Sequence, residues 1–86
     1  MELSSSQEMY LKTVYQLCDE NKVARVKDIA AGLNVTLSSV NGAIKALASL
    51  ELCTHSRYGY IDLTELGEKT ARIIIANFEM LTRLLS

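Results

Sequence analysis

Polar residues of the kinds that bind nucleic-acid bases follow one another at helical spacing between positions 38 and 45. Val40, Ile44 and Leu47 recur at intervals of three and four, which predicts a helix that begins near Leu37 with its apolar side turned inward. Hydroxyl, carboxamide and ammonium groups on its other side can bond to base edges, since Asn pairs with adenine and Lys reaches guanine or phosphate. The candidate base-contacting residues are Ser38, Ser39, Asn41, Gly42 and Lys45.

Gly42 differs from the other candidates because it has no side chain to offer a base edge. It also weakens a helix by about 1 kcal/mol relative to Ala. Two explanations stay open at this point: the glycine allows a close approach of the helix backbone to DNA, or the position is under relaxed selection.

A second predicted helix precedes this one, because Val26, Ile29, Ala30 and Leu33 also recur at helical spacing. The connector 33–36 includes a residue that tolerates the left-handed conformation and ends on residues suited to starting a helix. Two helices joined in this way form a helix-turn-helix, whose first helix braces the second and whose second helix enters the DNA major groove.

Positive charge is concentrated on this motif, although the whole chain carries a net charge of −1. Residues 22–60 hold five basic and two acidic residues, a balance of +3, while residues 1–21 sum to −3 and residues 61–86 to −1. Such an asymmetry is expected where one face attracts phosphates. Arg25 and Lys27, at the start of the motif, are candidates for phosphate contact, with an ordinary solvated side chain as the alternative for each.

The segment that follows the motif, Leu52–Leu63, is predicted to form a β-hairpin with its turn at 56–59. A hairpin in this place is a wing. Arg57 at its tip can reach a phosphate or the minor groove. Tyr58 or Tyr60 can pack against the sugar-phosphate surface, and the alternative is that both tyrosines only cover the small sheet.

Two further helices flank these elements. Ser5 and Glu8 fit a capping box at the start of the first, whose apolar stripe runs from Met9 to Cys18 and packs under the motif. Residues 23–25 can add one rung to the sheet. Thr64 is predicted to cap the last helix, about 64–85.

The last helix is more apolar than one small core can cover, so part of it should meet a partner. We expect a homodimer through Ile74, Phe78, Leu81 and Leu85, which would also suit the two-fold geometry of DNA half-sites. Membrane binding is a poorer explanation, because Arg72 and Arg83 are too few for a basic face.

Length and composition predict one domain over residues 1–86, mainly α with a small antiparallel β wing: a winged helix-turn-helix with a long C-terminal helix. With one histidine and no Gly-rich phosphate loop, we find no catalytic constellation, no small-molecule substrate and no cofactor. Cys18 and Cys53 match no metal or redox motif, and His55 beside Cys53 lacks a second pair of ligands. No segment is long and apolar enough to span a membrane and the N-terminus is not a secretion signal, so we expect a cytoplasmic protein.

Three parts of the chain, residues 8–15, residues 25–30 with 35–47, and residues 57–59 with 63–67, resemble the N-terminal DNA-binding domain of the diphtheria toxin repressor and manganese transport regulator family of metal-dependent repressors. They include Glu8-Met9-Tyr10-Leu11, Arg25-Val26-Lys27-Asp28-Ile29-Ala30 and Leu63-Thr64-Glu65-Leu66-Gly67. The resemblance implies a dimeric repressor that binds an operator through a winged helix-turn-helix when a divalent metal fixes the first helix against the last.

The metal ligands that this family uses are largely missing. Met9 is the only match to a ligand position of the iron-type relatives, and the manganese-type acidic pair is replaced by Met9 and Lys12. Phe78 stands where both branches have a His, and Thr82 replaces a nearby Glu. An ammonium and a phenyl ring cannot bind a divalent ion. We therefore expect no metal site, and a metal-independent regulator in which Phe78 packs against Met9 or a neighbour.

Two alternatives remain besides a dimeric transcriptional repressor. One is a winged-helix module that binds proteins and has lost DNA binding, which Gly42 and the low net charge favour. The other is the N-terminal fragment of a longer metal-dependent repressor, because the helical pattern still continues at Leu84-Leu85-Ser86.

Overall fold

The computed structural model describes the backbone of residues 3–21, 23–56 and 59–85 and their side chains except those of 21 and 78–85. The predictions for Arg57 and Tyr58, and those for the side chains of Phe78, Leu81 and Leu85, therefore lie outside the described residues.

The described chain is mostly helical with one small antiparallel sheet, which confirms the predicted fold class. The elements in order are α1 (Ser5–Asn21), β1 (Ala24–Arg25), α2 (Val26–Leu33), α3 (Leu37–Ser49), β2 (Cys53–His55), β3 (Tyr60–Leu63) and α4 (Glu65–Leu85). Helices α2 and α3 form the helix-turn-helix, and strands β2 and β3 form the wing. None of the helices in the described part of the chain has both the length and the apolar character needed to cross a membrane.

The core lies where α1 packs under the helix-turn-helix and against α4. Leu11 and Val14 of α1 are fully buried, as are Ile29 of α2 and the predicted inward-facing residues of α3. Val26 and Leu33, also predicted to face inward from α2, are only partly buried against this core. Burying each such side chain contributes about 1.5–3 kcal/mol to stability. The largest fully buried side chains are Leu11, Val14, Ile29, Val40, Ile44, Leu47, Leu52 and Ile61.

The start of α1 differs from the prediction by one residue. The Ser4 hydroxyl accepts a hydrogen bond from the Gln7 N–H at 3.1 Å, and the Ser4 N–H donates to Gln7 Oε1 at 2.9 Å. The predicted capping box of Ser5 and Glu8 is therefore wrong. The pattern of a serine followed three residues later by Gln or Glu occurs twice in succession here, and each copy satisfies the motif equally well.

The turn between α2 and α3 depends on Asn34, which adopts the left-handed conformation at φ 55° and ψ 50°. The Val35 N–H then donates to the carbonyl of Ala30 at 3.0 Å, closing the end of α2. Thr36 caps α3, because its side-chain oxygen accepts a hydrogen bond from the Ser39 N–H. The two helices are thus joined in three residues.

The three strands pair in the order β1, β3, β2, all antiparallel. Residues 23–25 do supply one edge of the sheet, with Ala24 opposite Ile61. At the wing turn, the Ser56 N–H donates to the carbonyl of Tyr60 at 2.8 Å, and Gly59 takes a φ of +83° that favours glycine.

The first turn of helix α4 packs closely against the backbone of Glu51 and Leu52, the residues that precede the wing. The Thr64 hydroxyl caps the helix by accepting from the Gly67 N–H, as predicted, and donates to the carbonyl of Glu51. A Cβ at Gly67 would lie only 1.8 Å from the carbonyl oxygen of Leu52. Only glycine therefore lets the first turn of α4 pack here.

Candidate nucleic-acid interface

One side of α3 is open to solvent along most of its length, and we call it the polar face of α3. All five candidate base-contacting residues are exposed, whereas Val40, Ile44 and Leu47 on the opposite side are at most 1% exposed. The helix therefore has a fixed inner side and a free outer side, as a recognition helix requires. The residues of the polar face are Ser38, Ser39, Asn41, Gly42 and Lys45.

Ser39 has a structural role that the sequence did not indicate. Its N–H donates to the Thr36 hydroxyl oxygen at 3.1 Å, and that hydroxyl in turn donates to Ser39 Oγ at 3.0 Å. The Ser39 hydroxyl proton is left pointing away from the cap, so Ser39 can still donate to an acceptor in solvent.

Leu37 is an exposed apolar residue that sequence reasoning missed. It is the first residue of α3 and is 54% exposed, although it lies beside the polar residue Ser38. An apolar side chain at the leading end of a recognition helix suits the methyl group of thymine. Its spacing continues the stripe of Val40, Ile44 and Leu47, so periodicity alone did not reveal that Leu37 is exposed.

The start of α2 carries exposed positive charge. Arg25 is the residue before the helix and makes no capping hydrogen bond through its side chain, and Lys27 is exposed in the first turn. Cations at this end of a helix are unfavourable in isolation, because the helix dipole is positive there. An anion such as a DNA phosphate would relieve this repulsion.

Arg25 also contacts the wing. Its Nη2 donates to the Tyr60 hydroxyl at 3.3 Å, and its guanidinium carbon lies 5.2 Å from the centroid of the Tyr60 ring. The sequence left Tyr60 either on the sugar-phosphate surface or over the sheet. In the structure Tyr60 is half-buried and holds the arginine instead.

The groove between α1 and α4 lies where a family metal would fix the first helix against the last. It has a volume of about 320 Å³ and is lined by Ser5, Glu8, Met9, Lys12 and Ile74. One carboxylate and one thioether beside an ammonium do not make the donor set that a divalent ion needs. Among the residues described, no cluster of three or more His, Cys, Asp or Glu side chains is placed to hold a metal. The described residues thus do not fit the metal.

Both cysteines are free thiols within the packed structure. Burial raises the pKa of the Cys53 thiol, and burial followed by the charge of Asp62 raises the pKa of the Cys18 thiol. Both thiols are therefore protonated at neutral pH and poor metal ligands. Each donates weakly to a backbone carbonyl, Cys18 to Ile61 and Cys53 to Ile44.

Two neighbouring residues of α4 point in different directions. Ile74, predicted as a dimerisation residue, is half-buried against the core and lines the groove beside Met9. Ile73 is 61% exposed, and Leu66, seven residues earlier and hence on the same side of the helix, is 43% exposed. The exposed apolar side of α4 thus contains Ile73 rather than Ile74.

A sequence model described as the iron dependent repressor, N-terminal DNA binding domain, matches residues 2–61. An HTH-type transcriptional regulator MntR from Shouchella clausii is 36% identical over 76 residues, which cover 88% of this chain and 53% of that protein. The chain spans about half the length of the curated relatives it matches.

Solved structures give the same result. T. acidophilum IdeR superposes with a TM-score of 0.72 at 31% identity, covering 83% of this chain and 32% of IdeR. Lactococcus lactis ZitR superposes with a TM-score of 0.82 at 26% identity, covering 99% of this chain and 57% of ZitR. The match over residues 2–61, on a winged helix-turn-helix whose polar face is exposed, shows that this chain belongs to the iron dependent repressor family, in the region of its N-terminal DNA-binding domain.

Proposed function

We propose that this protein is a cytoplasmic transcriptional regulator, acting as a repressor, that binds double-stranded operator DNA through its winged helix-turn-helix. The observation that carries the proposal is the exposed polar face of α3, held in place by the buried residues Val40, Ile44 and Leu47. Asn41 and Lys45 supply the groups suited to base edges, and Arg25 and Lys27 supply phosphate contacts. The wing residues Arg57 and Tyr58 complete the proposed contact set.

The regulator acts as a homodimer, in which α4 joins two copies. The exposed residues Leu66 and Ile73 support this arrangement, because they place two large apolar side chains on one solvent-facing side of the helix. Phe78, Leu81 and Leu85 stay in the proposed interface from the sequence. Ile74 contributes to this interface indirectly, because it packs α4 onto the core.

DNA binding in this protein does not depend on a metal. The groove between α1 and α4 offers Glu8 and Ser5 as its oxygen donors, and the Lys12 ammonium and the Met9 thioether beside them do not complete a ligand set for a divalent ion. Direct packing of α4 on α1, supported by the Arg72 Nε hydrogen bond to the Tyr15 hydroxyl at 3.3 Å, keeps the two helices together.

A protein-binding module is the second candidate. Gly42 in the middle of the polar face favours it, because the position contributes no group to a base edge. The two candidates differ in one property, which is affinity for DNA of any sequence at low salt.

Fluorescence anisotropy with a labelled random duplex, at low salt and with a chelator present, tests the proposal. We expect measurable binding by the wild type and weaker binding by Lys45→Ala, because an exposed cation of the polar face is lost. Lys69→Ala is the matched control, since Lys69 is also exposed but lies on α4 and pairs with Glu65.

Absence of binding by the wild type would favour the protein-binding module. Equal losses in Lys45→Ala and Lys69→Ala would mean that net charge alone, and not the polar face of α3, determines the affinity.

A further inference from the structure

We propose that Tyr60 is a positioning residue for DNA binding, which holds the Arg25 guanidinium beside the wing so that it binds a backbone phosphate. The inference rests on the proposed function and gives Tyr60 a role in positioning Arg25, which differs from the direct sugar-phosphate contact that the sequence suggested for it. It concerns one contact between two elements, the strand that leads into α2 and the return strand of the wing.

The register of the sheet brings the two side chains together. Arg25 on β1 lies directly opposite Tyr60 on β3, and side chains at opposite positions of paired strands project from the same face. Ala24 and Ile61, the neighbouring pair, are fully buried and anchor the two strands to the core. The Arg25 and Tyr60 pair thus lies on the outer face at a fixed separation.

The backbone of Tyr60 is itself held by the wing turn. Its carbonyl accepts from the Ser56 N–H at 2.8 Å, and its N–H donates to Ser56 Oγ at 3.2 Å. The phenol ring therefore projects from a closed turn. A guanidinium 5.2 Å from the ring centroid is within the range of a cation–π interaction.

The contact limits where an otherwise flexible arginine can go. Arg25 is exposed, and an exposed cation–π contact adds little to the stability of the fold. Its main effect is to reduce the rotamers of a long side chain before a ligand arrives. The guanidinium has five N–H donors, and the phenol oxygen accepts one of them, so donors remain for a phosphate.

The double-mutant cycle of Arg25→Ala and Tyr60→Leu tests the inference, with anisotropy on a random duplex between about 50 and 200 mM salt. Loss of one phosphate contact makes the plot of log K against log salt concentration shallower, by about 0.9 in slope. The ratio of wild-type to variant affinity then falls about 3.5-fold between about 50 and 200 mM salt. We expect this change for Arg25→Ala. Tyr60→Leu should change the slope in the same direction, although it removes no charge.

The cycle should also be non-additive. In the Tyr60→Leu background, Arg25→Ala should have little further effect, because the arginine has already lost its position. Tyr60→Phe, which keeps the ring and removes the hydroxyl, should give a smaller change in slope. Lys69→Ala, an exposed cation elsewhere, should leave the slope unchanged.

An unchanged slope for Tyr60→Leu, or effects of the two substitutions that simply add, would overturn the inference. If Tyr60→Leu does not fold, as thermal melting will show, Tyr60→Phe decides, and an unchanged slope there overturns it. A wild type without DNA affinity would overturn the proposed function as well. A wild type that binds, with no coupling in the cycle, would overturn only the role of Tyr60.

Discussion

Ser39 on the polar face of α3 combines a folding role with its proposed role in DNA binding. Ser39 is part of the cap that starts α3 and is nevertheless exposed. Replacing the capping side chain costs about 0.5–2 kcal/mol, so a substitution at Thr36 would mix a loss of stability with any loss of DNA contact, and one at Ser39 would remove the acceptor of the Thr36 hydroxyl. Asn41 and Lys45 make no such cap and are better positions for testing recognition.

Gly42 provides a residue-scale test that separates folding from binding. Nothing in the fold requires a glycine at position 42, since a Cβ there would meet nothing within 4 Å. Gly42→Ala should therefore raise the free energy of unfolding by about 0.5–1 kcal/mol, because alanine favours the helix. We expect it to lower DNA affinity by about 1 kcal/mol or more, since an added methyl group obstructs close approach to the duplex. Thermal melting and anisotropy measure the two effects.

Gly32→Ala is the matched control for this substitution. Gly32 is likewise helical and exposed, and a Cβ there also meets nothing within 4 Å, but it lies on α2. It should gain stability and keep DNA affinity. If Gly42→Ala also keeps its DNA affinity, close approach of the α3 backbone to DNA is ruled out.

At the scale of elements, the sequence predicted what depends on local periodicity. The apolar spacings placed α2 and α3 correctly, and Thr64 was recognised as the cap of α4. Features that depend on tertiary contacts escaped prediction. The approach of Gly67 to the Leu52 backbone and the pairing of Arg25 with Tyr60 arise from packing and sheet register, neither of which is local in sequence.

The same limitation affects the choice of interface residues on α4. Periodicity predicts that the helix has excess apolar surface, but Ile73 and Ile74 are adjacent and equally apolar. Which of them faces solvent depends on the angle at which α4 docks on α1. In the structure Ile73 is exposed and Ile74 is packed.

Dimerisation through α4 makes a prediction at this scale. Ile73→Glu should convert a dimer into a monomer, because it places a charge in the centre of an apolar interface, while Ile73 supports no intrachain core. Sedimentation equilibrium measures the mass. Gln16→Glu, which places the same charge at an exposed position of α1, should leave the dimer intact. A wild type that stays monomeric at all concentrations would contradict the proposal.

At the scale of the whole molecule, two features agree with the proposed function. One is the distribution of charge along the chain, and the other is the lack of a suitable set of metal-binding side chains among the described residues. The positive balance of residues 22–60 coincides with the helix-turn-helix and the wing, whereas α1 and its N-terminal flank are acidic. In the proposed complex, electrostatic attraction would therefore orient this one side of the molecule towards a duplex. In the proposed function, packing of α1 on α4, rather than an ion, keeps the helix-turn-helix in its binding geometry.

The most direct test of this account is an NMR titration of the ¹⁵N-labelled protein with a short random duplex, in low-salt buffer that contains a chelator. The account predicts amide shift changes concentrated in Thr36–Lys45 of α3 and around Arg25 and Lys27, without any added metal. Changes confined to α1 and α4, or changes that require Zn²⁺ in place of the chelator, would contradict it.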